Sequence, residues 1–319
     1  MAAAEADRSY PYEISFLVLT YHSEWASLRA TLVSAILQKG ISPEIVIADD
    51  GSGDFPRDKV EALFREYDFR DYQLILNETN RGTIANYISG LKACRGEYTK
   101  DIAPGDFLSR EGLLREWTDA TRKSGYEWSF ADVQYYGTEN GEMAAIPTPP
   151  FPVYLSPYRK HDDRKARWAY TVLDDSAHGA AMLGKTAVLL RYAEEIAATG
   201  NKYCEDYMYR IMMFDGICAA YYPETAVYYE FGTGISSGKS EKWKKQISDE
   251  FFRMSRKLLE KEPADAFQRK MQRMICRKSS FFAMAFIPGK LWRFLLFQII
   301  RRKPRLNFES TKAWRELCR

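Results

Sequence analysis

Two short apolar runs, at residues 14–19 and 45–48, each give way to polar residues, the pattern of strands covered on both faces. Between them Trp25, Leu28, Leu32, Ala35 and Ile36 recur at helical spacing, and the segment stops at Lys39 and Gly40, so the three pieces predict one βαβ unit. The alternation continues with a helix near 59–67, a strand at 73–76, a helix over 83–94 with Ile84, Tyr87, Ile88 and Leu91 turned inward, and a strand at 98–102. The expected fold class is α/β, a doubly wound, mostly parallel sheet flanked by helices. Right-handed connections would gather the loops after these strands at one edge, where open α/β sheets bind ligands.

The second half is less regular. Strand-like segments fall at 128–133, 180–183, 217–222 and 226–229, and Pro147, Pro149, Pro150, Pro152 and Pro157 stiffen the connection between the first two. Beyond Gly238 the chain turns charged and helical, then basic and aromatic. These shifts divide it into a flexible start (1–11), a catalytic domain (12–238) and a helical, basic and aromatic extension (239–319).

Composition narrows the class. With 46 basic and 43 acidic residues in 319, no charge excess calls for a nucleic-acid partner. Five scattered cysteines without a CxxC pair fit a reducing compartment, and Glu5 and Asp7 make the first residues unlike a secretory signal, so a cytoplasmic location is expected. Lys290 and Arg293 interrupt the most hydrophobic stretch, 281–300, which argues against a spanning helix. The aromatic residues there, ending in Arg301, Arg302, Lys303 and Arg305, suit peripheral contact of 281–305 with an anionic lipid surface; packing on the catalytic domain or a partner chain is the other reading.

The candidate chemistry is acidic and sits at strand ends. Asp49 and Asp50 close the second strand, and Asp106 follows the fourth. A carboxylate in the first position accepts hydrogen bonds from a base or ribose, though Asp49, Asp50 and Ser52 also have the composition of a turn. Strand-end carboxylates suggest a nucleotide and metal site. Since one carboxylate with two phosphate oxygens can hold Mg²⁺ or Mn²⁺, Asp106 is a candidate metal ligand, with Asp101 a less favoured substitute and an ordinary turn as the alternative. Glu205 and Asp206 precede a helical run and are placed to supply a base; pairing of Asp206 with Arg210, or capping, is the structural alternative. Gly232 to Gly238 with the lysines after it reads equally as a loop closing on a diphosphate or as a linker.

Taken in order, Thr20-Tyr21, Asp49-Asp50-Gly51-Ser52, Asn80-Arg81-Gly82 leading to Asn86, Gly96-Glu97-Tyr98 and Glu205-Asp206 resemble a family 2 glycosyltransferase with the GT-A fold, of the kind that builds bacterial surface polysaccharide. The resemblance implies nucleotide binding by Thr20, Tyr21, Asp49, Asn80 and Gly82, and contact of Asn86, His178 and Glu205 with donor or acceptor sugar. It further implies Asp206 as the base of an inverting transfer from a nucleoside-diphosphate sugar, a UDP-sugar in preference, to a glycan or lipid-linked acceptor. The chain departs from the family where the usual Asp-any-Asp signature aligns with Ala103-Pro104-Gly105, leaving Asp106 as the neighbouring carboxylate.

A dinucleotide enzyme is disfavoured because residues 80–96 lack the Gly-x-Gly-x-x-Gly spacing, and no phosphate loop precedes Gly238 because Thr233 stands where its first glycine should be. A non-catalytic assembly subunit remains the principal alternative, with a nucleotidyltransferase behind it.

Overall fold

The computed structural model describes residues 10–139, 142–148, 150–232 and 241–276, with Trp314, Glu316 and Leu317. The first half follows the apolar pattern closely: β1 (Tyr12–Thr20), α1 (Trp25–Ile36), β2 (Glu44–Asp49), α2 (Arg57–Glu66), β3 (Tyr72–Leu76), α3 (Thr83–Ala93) and β4 (Gly96–Ile102). Then come β5 (Phe107–Leu108), α4 (Leu113–Ser124), β6 (Trp128–Glu139), β7 (Glu142–Ile146), α5 (Ser156–Arg159) and α6 (Asp163–Val172). A 3-10 turn (Gly179–Ala181) leads into β8 (Met182–Lys185), α7 (Thr186–Ala197), α8 (Tyr207–Asp215), β9 (Ala219–Glu230), α9 (Glu241–Glu260) and α10 (Ala266–Cys276).

One sheet runs in the order β3-β2-β1-β4-β8-β6-β9-β5, with β7 on the edge of β6. The first four strands are mutually parallel, and β8 is antiparallel to both β4 and β6. Burial on both faces explains the continuous apolar runs. Ile14, Phe16 and Val18 of β1 pack with α1, α2 and α4 on one side, while Leu17 packs with α3, α7 and α8 on the other. Opposite the ligand edge, buried Glu44 ties three strands together: its carboxylate accepts from Ser15 Oγ (2.6 Å) and Gly96 N (3.1 Å) and pairs with Arg95 (2.8 Å).

The structure corrects the second half in two places. The segments expected at 217–222 and 226–229 are one strand, β9, parallel to β6. Pro223 sits where the register slips, between the pairs Tyr222–Ala131 and Thr225–Asp132, so a proline that would break a regular ladder is accommodated at a bulge. The proline-rich connection also carries helix as well as loop, in α5 and α6. Of the expected extension, α9 and α10 bury Met254, Leu258, Met271 and Ile275 in the same core as α6 and α8, and Trp314 packs under β5, donating from Nε1 to Leu108 O at 2.8 Å. The stretch 281–305 and the loop 233–238 lie outside the described residues. No helix among those described is long and apolar enough to cross a membrane.

Candidate active site

At the carboxyl ends of β1 and β2, Thr20 is buried and donates to Ser23 Oγ (2.7 Å), and Tyr21 projects into solvent at 47 % exposure beside the His22 ring. Asp49 is buried and accepts from both the backbone N–H (2.8 Å) and the hydroxyl (2.6 Å) of Ser52; Ser52 Oγ in turn accepts from His22 N (2.8 Å). This is the turn anticipated as the structural alternative, and it holds Asp49 rigidly at the mouth of the β1–β2 loops. Asp50 grips the next loop, its two oxygens accepting from Arg81 N and Gly82 N, each at 2.9 Å.

Two glycines are obligatory in that arrangement. Gly51 (φ +80°) packs so tightly on the Thr79–Asn80 backbone that an added Cβ would come within 2.4 Å, and at Gly82 (φ +93°) it would come within 2.7 Å of Lys202. Asn80 is thereby held exposed at the crevice. Asn86, expected at the sugar, is instead 98 % buried: its Nδ2 donates to Ala48 O (2.8 Å) and its Oδ1 accepts from Asn77 (2.9 Å). With both ends of its amide committed to β2 and the loop after β3, it braces those segments from below.

After β4, the turn at 103–106 is clamped from three sides. Gly105 N donates to Ser27 O and Thr31 Oγ1 of α1, Tyr136 of β6 donates to Gly105 O, and Asp106 Oδ1 accepts from Glu230 N at 2.9 Å. The Glu230 carboxylate lies against Gly105, where an added Cβ would meet Oε2 at 2.2 Å. Burial pushes the Asp106 carboxyl up to about 8, so its anionic form lacks adequate local compensation. Among the described residues no cluster of three or more His, Cys, Asp or Glu forms a ready-made metal cage. Magnesium sites on nucleotide substrates do not need one; one or two carboxylates plus phosphate oxygens are usual, and Asp106 with neighbouring Glu230 fits that donor set.

Lys100, one strand residue earlier than Asp101, is fully buried, with its ammonium donating to Asp101 O. Desolvation lowers its pKa, while Asp101, Asp106 and Asp206 oppose the shift, so it is the buried cation of a largely anionic site.

Glu205 and Asp206 enter from the loop before α8, directly after Cys204 in a left-handed conformation (φ +62°). Asp206 is open to the crevice but crowded by protein elsewhere, and both carboxyls are raised, chiefly by desolvation. The anticipated pairing with Arg210 does not form. Arg210 binds Asp174 (2.7 Å) and Thr171 O, leaving Asp206 turned toward Gly179, where an added Cβ would meet Oδ2 at 2.3 Å.

His178, beside Gly179, forms the facing wall. Its Nδ1 accepts from Ala180 N (3.3 Å), which leaves Nε2 as the donor, and its ring sits among Tyr229 (4.6 Å), Tyr135 (5.5 Å) and Phe151 (5.6 Å). Burial and then Lys100 lower its pKa to about 4. The imidazole is therefore neutral in the physiological range, with Nε2–H as its hydrogen-bond donor. We expect its ring protons, followed by NMR, to show no titration between pH 5.5 and 8; a midpoint near the ordinary 6.5 would contradict this environment.

The aromatic wall escaped sequence reasoning, although a signal exists. Tyr135-Tyr136 and Tyr228-Tyr229 are doublets in strands, and period-two alternation sends Tyr136 and Tyr228 into the core and Tyr135 and Tyr229 to the His178 side. Lys100 and Glu230 were missed because nothing in their local sequence distinguishes a cleft residue from a strand surface.

A crevice at the carboxyl ends of the parallel strands β1, β2 and β4, with a carboxylate pair entering from the loop before α8 and turned toward Gly179, has the arrangement of a glycosyltransferase of the GT-A fold. The family model for Glycosyl transferase family 2 matches residues 15–183, more than half of the chain, and the protein belongs to that family. Solved structures agree in fold. Staphylococcus aureus TarS 1–349 in complex with UDP-GlcNAc is 16 % identical with a TM-score of 0.53, covering 96 % of this chain and 79 % of that one; its complex with UDP gives 14 %, 0.52, 95 % and 78 %. The mannosyltransferase PcManGT from Pyrobaculum calidifontis, in complex with GDP-Man and Mn²⁺, is 11 % identical at a TM-score of 0.53, with 97 % and 86 % covered. A sequence search of curated proteins found no match.

Proposed function

We propose that the protein transfers a sugar from a nucleoside-diphosphate donor, a UDP-sugar in preference, to a hydroxyl of a glycan or lipid-linked acceptor, with inversion. The observation that carries this reading is the position of Asp206: unpaired with Arg210, exposed, turned toward Gly179 beside His178, and acting with Asp106 on buried Lys100. In one displacement the acceptor oxygen bonds to the anomeric carbon, the bond from that carbon to the diphosphate breaks, and the hydroxyl proton passes to Asp206. Single displacement inverts the anomeric centre.

Thr20, Tyr21, Asp49, Asn80 and Gly82 would receive the nucleoside, with Asp50 and Asn86 fixing their loops. His178 Nε2 and Glu205 would contact the sugars. Asp106, with Glu230, would hold Mg²⁺ or Mn²⁺, which when bound offsets charge on the diphosphate. The two TarS complexes contain UDP and UDP-GlcNAc, which supports a uridine donor; the Mn²⁺ beside GDP-Man in PcManGT supports a divalent ion.

The test is turnover: purified protein incubated with UDP- and GDP-sugars, with and without EDTA, should release nucleoside diphosphate, and NMR of the product should show the opposite anomer. Nucleotide-sugar binding without any donor cleavage would support an assembly subunit instead. Release of pyrophosphate from a nucleoside triphosphate would support a nucleotidyltransferase.

We place the protein in the cytoplasm with the basic tail touching the inner face of the membrane. Because Trp314 packs in the core, removing the whole tail would damage the fold, and charge substitution is the cleaner test. Changing Arg301, Arg302, Lys303 and Arg305 together to Ser should abolish low-salt sedimentation with anionic vesicles; unchanged sedimentation would refute the contact.

A further inference from the structure

Between α5, α6 and the start of α10 lies a cavity of about 690 Å³ lined by none of the residues assigned above to donor or base. Its floor is aromatic, with half-buried Trp168 and Phe267, and Tyr154 lies at one side. Three cations stand over it: the Arg164 guanidinium 4.7 Å from the centre of the Phe267 ring, Lys270 Nζ 5.4 Å from that of Trp168, and Lys160. Asp162 also reaches the cavity, but its carboxylate pairs with Lys165 (2.8 Å) and caps α6. Among the described residues neither Lys160, Arg164 nor Lys270 makes an ion pair. Exposed cations held over aromatic faces, with the nearby acid already occupied, leave a net positive concavity.

The cavity is built on the segments that form the wall beside Asp206. Leu173 lines it five residues before His178, and Tyr154 lines it three residues after Phe151, which packs on the His178 ring. Asp175 joins the two segments by accepting from Val153 N and Tyr154 N, both at 2.9 Å. A ligand seated here would therefore touch segments continuous with those that carry Phe151 and His178.

We propose that this cavity binds a phosphate-bearing stretch of the acceptor glycan, with the phosphate on Lys160, Arg164 and Lys270 and a sugar ring on Trp168. The guanidinium and ammonium groups match a phosphate by charge-assisted hydrogen bonds, and the flat indole suits the apolar face of a sugar. The volume lies within the range of small-ligand sites. An acyl chain is a poorer fit, because the apolar lining is mainly rings rather than an aliphatic channel. The inference rests on the transferase reading for its acceptor but is tested by binding.

The probe is mannopentaose phosphate, with unphosphorylated mannopentaose as its control, titrated calorimetrically into the full-length protein. We expect the phosphorylated sugar to bind, the control to bind roughly tenfold or more weakly, and affinity to fall with salt. The triple variant Lys160→Ala, Arg164→Ala, Lys270→Ala should lose roughly tenfold or more in affinity while keeping wild-type donor binding. If that variant melts early, Arg164→Gln read by Trp168 fluorescence, with Trp168→Phe as the blank, serves the same purpose.

Equal affinity for both sugars, or an unaffected variant, overturns the proposal. So does binding of phosphatidylglycerol vesicles, sensitive to these three residues, without binding of the sugar phosphate. Donor binding without sugar-phosphate binding removes this inference alone, whereas sugar-phosphate binding in a protein that cleaves no nucleotide sugar removes the transferase reading alone.

Discussion

Replacing Asp206 by Asn is expected to lower kcat by roughly 10²–10⁴-fold, the span typical of a lost general base, while leaving donor affinity near that of the wild type. The amide is nearly isosteric, so packing against Gly179 is retained, but it cannot take the acceptor proton. Burial first, then the charge of Asp101, raises the Asp206 pKa, and Lys100 opposes this. The base must be deprotonated to act, so the acidic limb of kcat/KM in the wild type should lie above the ordinary carboxylate range. Removing the Lys100 charge as Lys100→Met should move that limb to still higher pH, because the raising influences would then act unopposed. Undiminished transfer by Asp206→Asn would exclude it as the base and make Glu205 the next candidate.

The second large effect concerns the donor. Asp106→Ala should weaken Mn²⁺-dependent binding of nucleoside diphosphate by at least roughly tenfold, since even groups one step removed from a metal cost that much. Asp101→Ala should change it little. The two carboxylates have different surroundings: Asp106 meets Glu230 in the clamped turn, whereas Asp101 faces Tyr87 of α3 and Tyr209 of α8, its Oδ1 without a hydrogen-bond partner among the described residues. Calorimetry with and without Mn²⁺ decides between them. Equal losses in the two variants, or an Asp106→Ala protein that binds as the wild type does, would refute the assignment.

The two substitutions probe two carboxylates that both act on buried Lys100, and how each came to be recognised differs. Asp49, Asp50 and Asp106 stood out in the sequence because a parallel strand ends in a loop on the ligand edge, so carboxylates just past strands β2 and β4 have an expected destination. Their division of labour was not legible. That Asp49 faces Ser52 while Asp50 holds the 81–82 backbone depends on which way each side chain leaves the turn, which the Gly51 conformation decides. Asn86 shows the same limit from the other side: a helix start below the crevice looks the same in sequence whether its amide meets a sugar or, as here, Ala48 and Asn77.

By itself the sequence determined the alternating β and α elements of the first half, the parallel direction of its strands and the edge on which the acids gather. Those features follow from local periodicity and from the handedness of βαβ connections, both properties of short stretches of chain. Only the tertiary structure decided that β9 runs unbroken through Pro223, that α9, α10 and Trp314 complete the core, and that Arg210 turns to Asp174 and leaves Asp206 to the crevice. Each of these is settled by competition among groups far apart in the chain. A bulge needs the partner strand to absorb it, a core needs an opposing face, and a guanidinium binds whichever carboxylate the packing brings nearer.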